Sequence, residues 1–140
     1  MEAGLALSTE SRQLAGILLI ALVTVESGGL YLLSIVRGKA GVTPFQLAFA
    51  RAGHAHAAVL LILAVLCQVL VDSTDQSGFF EWLSRSGVAV SALLMPGGFF
   101  FSSMGAGREK PNRFIVMVFV GAGLLAVSLL SLGVGLIAAG

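Results

Sequence analysis

Four long apolar stretches separated by short polar ones set the plan of the chain. They run approximately over 14–36, 44–71, 86–104 and 113–138. Each is near or above the ~20 residues that carry an α-helix across the hydrocarbon core of a bilayer. Polarity does not alternate along them, which sets aside the closed β-barrel, the only other structure that can span. The pattern therefore predicts an all-α integral membrane protein: a four-helix bundle forming a single transmembrane domain over 1–140.

The second stretch carries a start signal. Thr43-Pro44-Phe45-Gln46 reads as a capping box with proline at the first helical position. Helical from there to Val71, the element is about 42 Å long at 1.5 Å per residue. That exceeds a core of about 30 Å, so it either tilts or runs its first turns, to about Arg51, along the interface. The connections 37–43, 72–86 and 105–113 are short, which predicts antiparallel neighbours in an up-down-up-down order. Within 72–86, Phe79, Phe80 and Trp82 with Glu81 and Arg85 predict an interfacial turn or short helix, because aromatics favour that depth.

Composition agrees with burial in lipid. Of 140 residues, 57% are hydrophobic and 11% charged, against roughly 45–50% and 25% in soluble domains. The net charge is +1, and the basic residues form no stripe interleaved with aromatics, so nucleic acid is not an expected partner. The eight basic residues are unevenly placed. Arg37, Lys39, Arg51, Arg108, Lys110 and Arg113 fall on one side, Arg12 and Arg85 on the other. Positive residues accumulate in cytoplasmic loops. Loops 37–43 and 105–113 are therefore expected in the cytoplasm, with both termini and loop 72–86 outside. Five of the seven acids, Glu2, Glu10, Asp72, Asp75 and Glu81, then lie outside as well. Met1 to Gln13 has no basic n-region of the kind that marks a cleaved signal, so the first helix is expected to be retained. Cys67 stands alone in an apolar run, which allows no intrachain disulfide and reads as a small buried hydrophobe.

Small residues recur at packing spacing: Ala48 with Ala52, Gly53 with Ala57, Ala122 with Ala126, Ser131 with Gly135. Such pairs let membrane helices approach closely.

The residues that could carry chemistry are few. Glu26 lies near the centre of the first helix, where a carboxylate costs several kcal/mol unless paired or protonated. Pro96-Gly97-Gly98 interrupts the third helix at a similar depth, which predicts a polar pocket between helices 1 and 3. Arg51 and His54 are three apart and share a face. His54 and His56 are about 200° apart around a helix. They cannot ligate one metal, and each must look toward a different neighbour. Phe99-Phe100-Phe101 covers nearly a full turn and reads as a boundary anchor.

Gly53-His54-Ala55-His56-Ala57, opening a hydrophobic helix, locally resembles the His-x-His helix of heme-copper oxidase large subunits, where the two histidines bind different hemes. The resemblance implies heme as a cofactor at His54 and His56. With no third histidine, a bis-ligated heme would need a second subunit or a methionine such as Met95, Met104 or Met117. More broadly, Thr24 to Gly29, Arg51 to Ala57 and Met95 to Gly105 resemble a group of small four-helix membrane proteins of actinobacteria, to which no activity attaches.

The expected function is that of an accessory or structural subunit, partnered by the lipid bilayer and by other membrane subunits or further copies of itself. The alternatives are a heme-, quinone- or proton-linked redox protein using His54, His56 and Glu26, and a small oligomeric ion or solute transporter. The intramembrane polar cluster expected in either case is Glu26, Arg51, His54 and Pro96.

Overall fold

The computed structural model describes residues 7–140, so Glu2 lies outside the described residues. It contains four long helices and, among the described residues, no strand: α1 (Thr9–Val36), α2 (Pro44–Val71), α3 (Gly78–Ser103) and α4 (Val116–Ala139), with one 3-10 turn at Arg113–Ile115. All four are long and apolar enough to cross a membrane.

The capping box forms as the sequence predicts. The Thr43 hydroxyl accepts from the Gln46 amide at 3.1 Å, and the Gln46 side chain accepts from the Thr43 amide at 3.1 Å. At α1, Ser8 is the N-cap and accepts from the Ser11 amide.

α3 starts earlier than its apolar stretch. Phe79, Phe80, Glu81, Trp82 and Arg85 are not a separate interfacial element but the first turns of α3. Hydropathy hides this because Glu81, Ser84, Arg85 and Ser86 lower the local average. Three of them find partners inside and outside the helix: Glu81 and Arg85 pair at 2.8 Å one turn apart, and Ser84 donates to Ser131 of α4. Pro96 does not end α3, which continues to Ser103 although the Ala92 carbonyl loses its helical donor.

Successive helices run antiparallel, as Gln68 beside Arg85 and Gln46 beside Ser103 require for α2 and α3. They do not close into a ring. α2 packs on α3 and α3 on α4, with a lighter α2–α4 contact, and α1 lies mainly along α2, touching α3 where Arg85 reaches Ser11. Of α1 only Ser11, Leu18 and Ile35 are buried. The core runs through Leu60, Leu61, Ala64, Cys67 and Val71 of α2, Val88, Ala92 and Met95 of α3, and Leu132 of α4. Cys67 behaves as a buried hydrophobe, 1% exposed.

The α3–α4 seam is built from small residues. Cβ atoms added at Gly87, Gly98 and Gly121 would meet Ser128, Val118 and Met95 respectively. Each pair of residue numbers sums to 215 or 216, so the two helices hold one antiparallel register throughout. On α4 the buried residues Gly121, Ser128 and Gly135 are spaced by seven, the repeat that keeps one seam facing a partner in a left-handed pairing.

Candidate functional site

Helix geometry splits the two histidines as the 200° angle requires. His54 turns toward α1, where Gly28 and Gly29 expose bare backbone. A Cβ at Gly28 would lie 3.0 Å from His54 Nδ1, and one at Gly29 would lie 3.6 Å from Nε2. His56 turns toward α3. Its ring lies 5.0 Å from that of Phe99, and its Nδ1 is 2.7 Å from the Ala52 carbonyl, so that nitrogen carries the proton and donates. Between them, buried Gly53 faces Phe100 at 3.0 Å from its would-be Cβ. The aromatic triplet is thus divided: Phe99 packs on Phe49 and His56, Phe100 on Gly53, and Phe101 turns outward at 47% exposure.

The expected cluster of Glu26, Arg51, His54 and Pro96 does not assemble. Glu26 and Arg51 are both exposed, and neither has a hydrogen-bond or ion-pair partner among the described residues. Pro96 is buried in α3, and neither it nor Glu26 lines the cleft that does lie between α1 and α3, which is formed nearer the start of α2. The physical reason lies in the face of α1 that packs. Leu14, Leu18, Ala21, Val25 and Gly28 step along α2 at spacings of four and three, and Glu26 stands about 100° off that line.

A heme held by these histidines would need an open slot beside a ring nitrogen. Both nitrogens of His54 face the backbone of α1, and the His56 ring is laid on Phe99. Met95 and Met117 sit at the α3–α4 seam, against Gly121 and Gly98, away from either histidine. His54, as packed, does not fit that group; His56 has its Nδ1 on the Ala52 carbonyl and keeps an Nε2 without a hydrogen-bond partner among the described residues. Among the described residues, no three His, Cys, Asp or Glu side chains converge as a metal site would require.

Two polar clusters occur where the sequence reading placed none. At the end holding the start of α1, Arg85 reaches three partners through Nη1 and Nη2: Asp72 at 3.1 Å, Glu81 at 2.8 Å, and Ser8 at 3.1 Å. It also donates to Ser11. The Ser8 amide donates to Asp72 at 2.8 Å. Burial by itself would raise the Asp72 carboxyl, but the hydrogen bonds from the Ser8 amide, Ser11, Arg85 and the Ser8 hydroxyl together hold it below its ordinary value. Beside this latch, fully buried Gln68 donates to the carbonyls of Ala64 and Arg85, at 3.1 Å and 2.7 Å. Its Oε1 has no partner among the described residues. A lone amide inside an apolar run is a signal that could have singled it out.

The second cluster is at the opposite end. Gln46 Nε2 donates to the carbonyls of Ser103 and Gly105, at 3.0 Å and 2.7 Å, and the Thr43 hydroxyl donates to the Arg108 carbonyl. These bonds fasten the 104–112 loop onto the start of α2. Beside them, α1 and α3 diverge over α2 and leave a cleft of about 400 Å³ lined by Tyr31, Gln46, Ala50, Phe100 and Ser103. A larger groove of about 620 Å³ lies on the outer face of α3 and α4, where Gln76 donates to the Ser131 carbonyl at 2.9 Å.

No family model, curated protein or solved structure matches the chain.

Proposed function

We propose that the chain is a structural subunit of a larger membrane assembly, and that it offers the free face of α1 to a partner helix. The observation that carries this is Glu26. It is an exposed carboxylate without a protein partner, within the central part of a helix that has the length and composition of a span. Such a group facing lipid costs several kcal/mol, and a hydrogen-bond donor on a neighbouring helix removes that cost. The same face suits close approach. Ser27 and Ser34, about 100° and 80° around the helix from Glu26, are small, and their hydroxyls already donate to carbonyls three residues back, at 2.6 and 2.7 Å. They can therefore pack against another helix without leaving an unsatisfied donor.

The orientation we assign puts loops 37–43 and 105–113 in the cytoplasm and loop 72–77 and both termini outside, on the six-to-two division of basic residues. A membrane-impermeant maleimide applied to intact cells, in a Cys67→Ala background, should label Asp75→Cys and leave Ala40→Cys unlabelled.

The decisive experiment is purification in a mild detergent with mass determination of the intact particle. A defined complex is expected for the native chain, with Glu26→Lys releasing the subunit. A monomer free of partners in both proteins overturns the reading. The redox and transport alternatives draw no support from His54 and His56, which are packed against separate helices.

A further inference from the structure

The cleft between α1 and α3 has the form of a ligand site, polar at the end held by Gln46, Ser103 and Gly105 and apolar beyond it. Arg108 is not part of the lining but stands against Gly105 at that polar end, the mouth. Its Nε donates to the Met104 carbonyl at 2.9 Å, and a Cβ at Gly105 would lie 3.6 Å from Nε and 3.7 Å from Nη2. The guanidinium therefore lies over Gly105, which lines the cleft and has no side chain to obstruct it. Neither Nη1 nor Nη2 has an acceptor among the described residues. The Arg108 backbone is held in place, because its carbonyl accepts from Thr43 and the neighbouring Gly105 carbonyl accepts from Gln46. Two pre-positioned donors of a guanidinium match the geometry of a phosphate.

One turn in from Gln46 and Ser103, the walls become Ala50 and Phe100. One further turn along the same face of α2, His54 fills the space against Gly28 and Gly29. The cleft is thus a short slot, open sideways between two helices that have the length of spans. Tyr31 lines it from α1 with a hydroxyl that has no partner among the described residues. Charge at this end is one-sided: six of the eight basic residues gather here, against Glu109 as the one acid in its two loops.

We propose that this cleft binds one anionic phospholipid, with the phosphate on Arg108 at the mouth and an acyl chain along Ala50 and Phe100 between α1 and α3. Tyr31 offers its hydroxyl below the mouth, at the level of the ester groups. A soluble anion would satisfy only the guanidinium and leave the apolar slot unfilled. The proposal does not depend on a partner at Glu26, which stands about 140° around α1 from Tyr31.

The test uses the full chain in a neutral detergent, titrated with phosphatidylglycerol, phosphatidylcholine or soluble glycerol phosphate. Native mass spectrometry and thermal unfolding are the readouts. Phosphatidylglycerol should give a retained one-to-one adduct and a raised Tm, the other two neither. Arg108→Gln should weaken the lipid's apparent affinity about tenfold, as loss of charge-assisted hydrogen bonds does. Lys110→Gln, a charge in the same loop that does not approach Gly105, should change it less than about twofold. Equal binding of phosphatidylcholine overturns the proposal, as does an equal effect of the two substitutions, which would mean diffuse attraction. A shift produced by glycerol phosphate alone also overturns it, since the site would then take a soluble anion. If Arg108→Gln does not fold, Arg108→Lys keeps the charge without the fork. It should still lower affinity severalfold, and undiminished affinity in that variant counts against the phosphate contact.

Discussion

Gly87 of α3 lies directly against Ser128 of α4: a methyl group at Gly87 would overlap the Ser128 Oγ and come within 2.8 Å of its Cβ. Ser128 is fully buried, with its hydroxyl donated to the Leu124 carbonyl, so turning away costs it that bond. Gly87→Ala should therefore force the two helices apart and cost about 1–3 kcal/mol, the usual range for overpacking. Thermal unfolding in detergent measures it. Ser128→Gly in the same chain should recover most of the loss, which a general intolerance of alanine at that position would not allow.

Gly28 and His54 make a second such test, with a change of sign. Alanine in place of a helical glycine ordinarily gains up to about 1 kcal/mol. Here its Cβ would stand 3.0 Å from the His54 Nδ1, and the ring, held between Gly28 and Gly29, would have to give by a few tenths of an ångström. Gly28→Ala is expected to destabilise the native chain. In a His54→Ala background the same substitution should stabilise. A double-mutant cycle on unfolding free energies gives the coupling directly.

The latch around Asp72 predicts a response to acid. Its carboxyl is held below its ordinary value in the folded chain. A depressed folded value means that the stabilisation is complete above the unfolded carboxylate value of about 3.9 and is lost as pH falls through the lower folded value. Asp72→Asn should remove that dependence at a cost of about 1–3 kcal/mol, since it leaves Arg85 without one of its two carboxylates. The local readout is hydrogen exchange at Ser8, whose amide donates to Asp72. Exchange there should accelerate in the variant at neutral pH, and in the native protein only in acid.

Gln68 should tolerate an apolar replacement better than its complete burial suggests. Its Nε2 donates to two helical carbonyls, while its Oε1 is buried without a partner. Gln68→Met removes two modest bonds together with one unsatisfied acceptor. The net change is expected within about 1 kcal/mol, read from the same thermal unfolding. A loss well beyond that would mean the amide holds something besides the fold.

The helices were legible because their signals are local. A run of apolar residues and the Thr43–Gln46 cap depend on neighbours in sequence, and α2 begins and ends where they indicate. The start of α3 was not legible from hydropathy, because Glu81 and Arg85 count as polar until their ion pair is known. The separation of His54 from His56 followed from helix angle alone. Which helix each would meet did not, since that depends on Gly28, Gly29 and Phe99 arriving from elsewhere. The small-residue pairs were legible as a class rather than individually. Ser131 and Gly135 meet α3 and Gln76, whereas Ala48 is exposed. The seven-residue spacing of Gly121, Ser128 and Gly135 was the more informative signal. Glu26 was expected to find a partner inside the chain, and nothing in its own stretch says which face of α1 will pack.

The arrangement of the helices in a row bears on how the chain is made. α2, α3 and α4 each pack against the helix synthesised just before, so a nascent chain entering the bilayer can settle pair by pair as it emerges. Among the fastenings that must wait is the one at the beginning. Ser8 and Ser11 are secured by Asp72 and Arg85, so the leading end of α1 is tied down only after the first turns of α3 have left the ribosome. Until then the first helix is held by the side of the second alone, and it is during that interval that a foreign helix could most easily take its place.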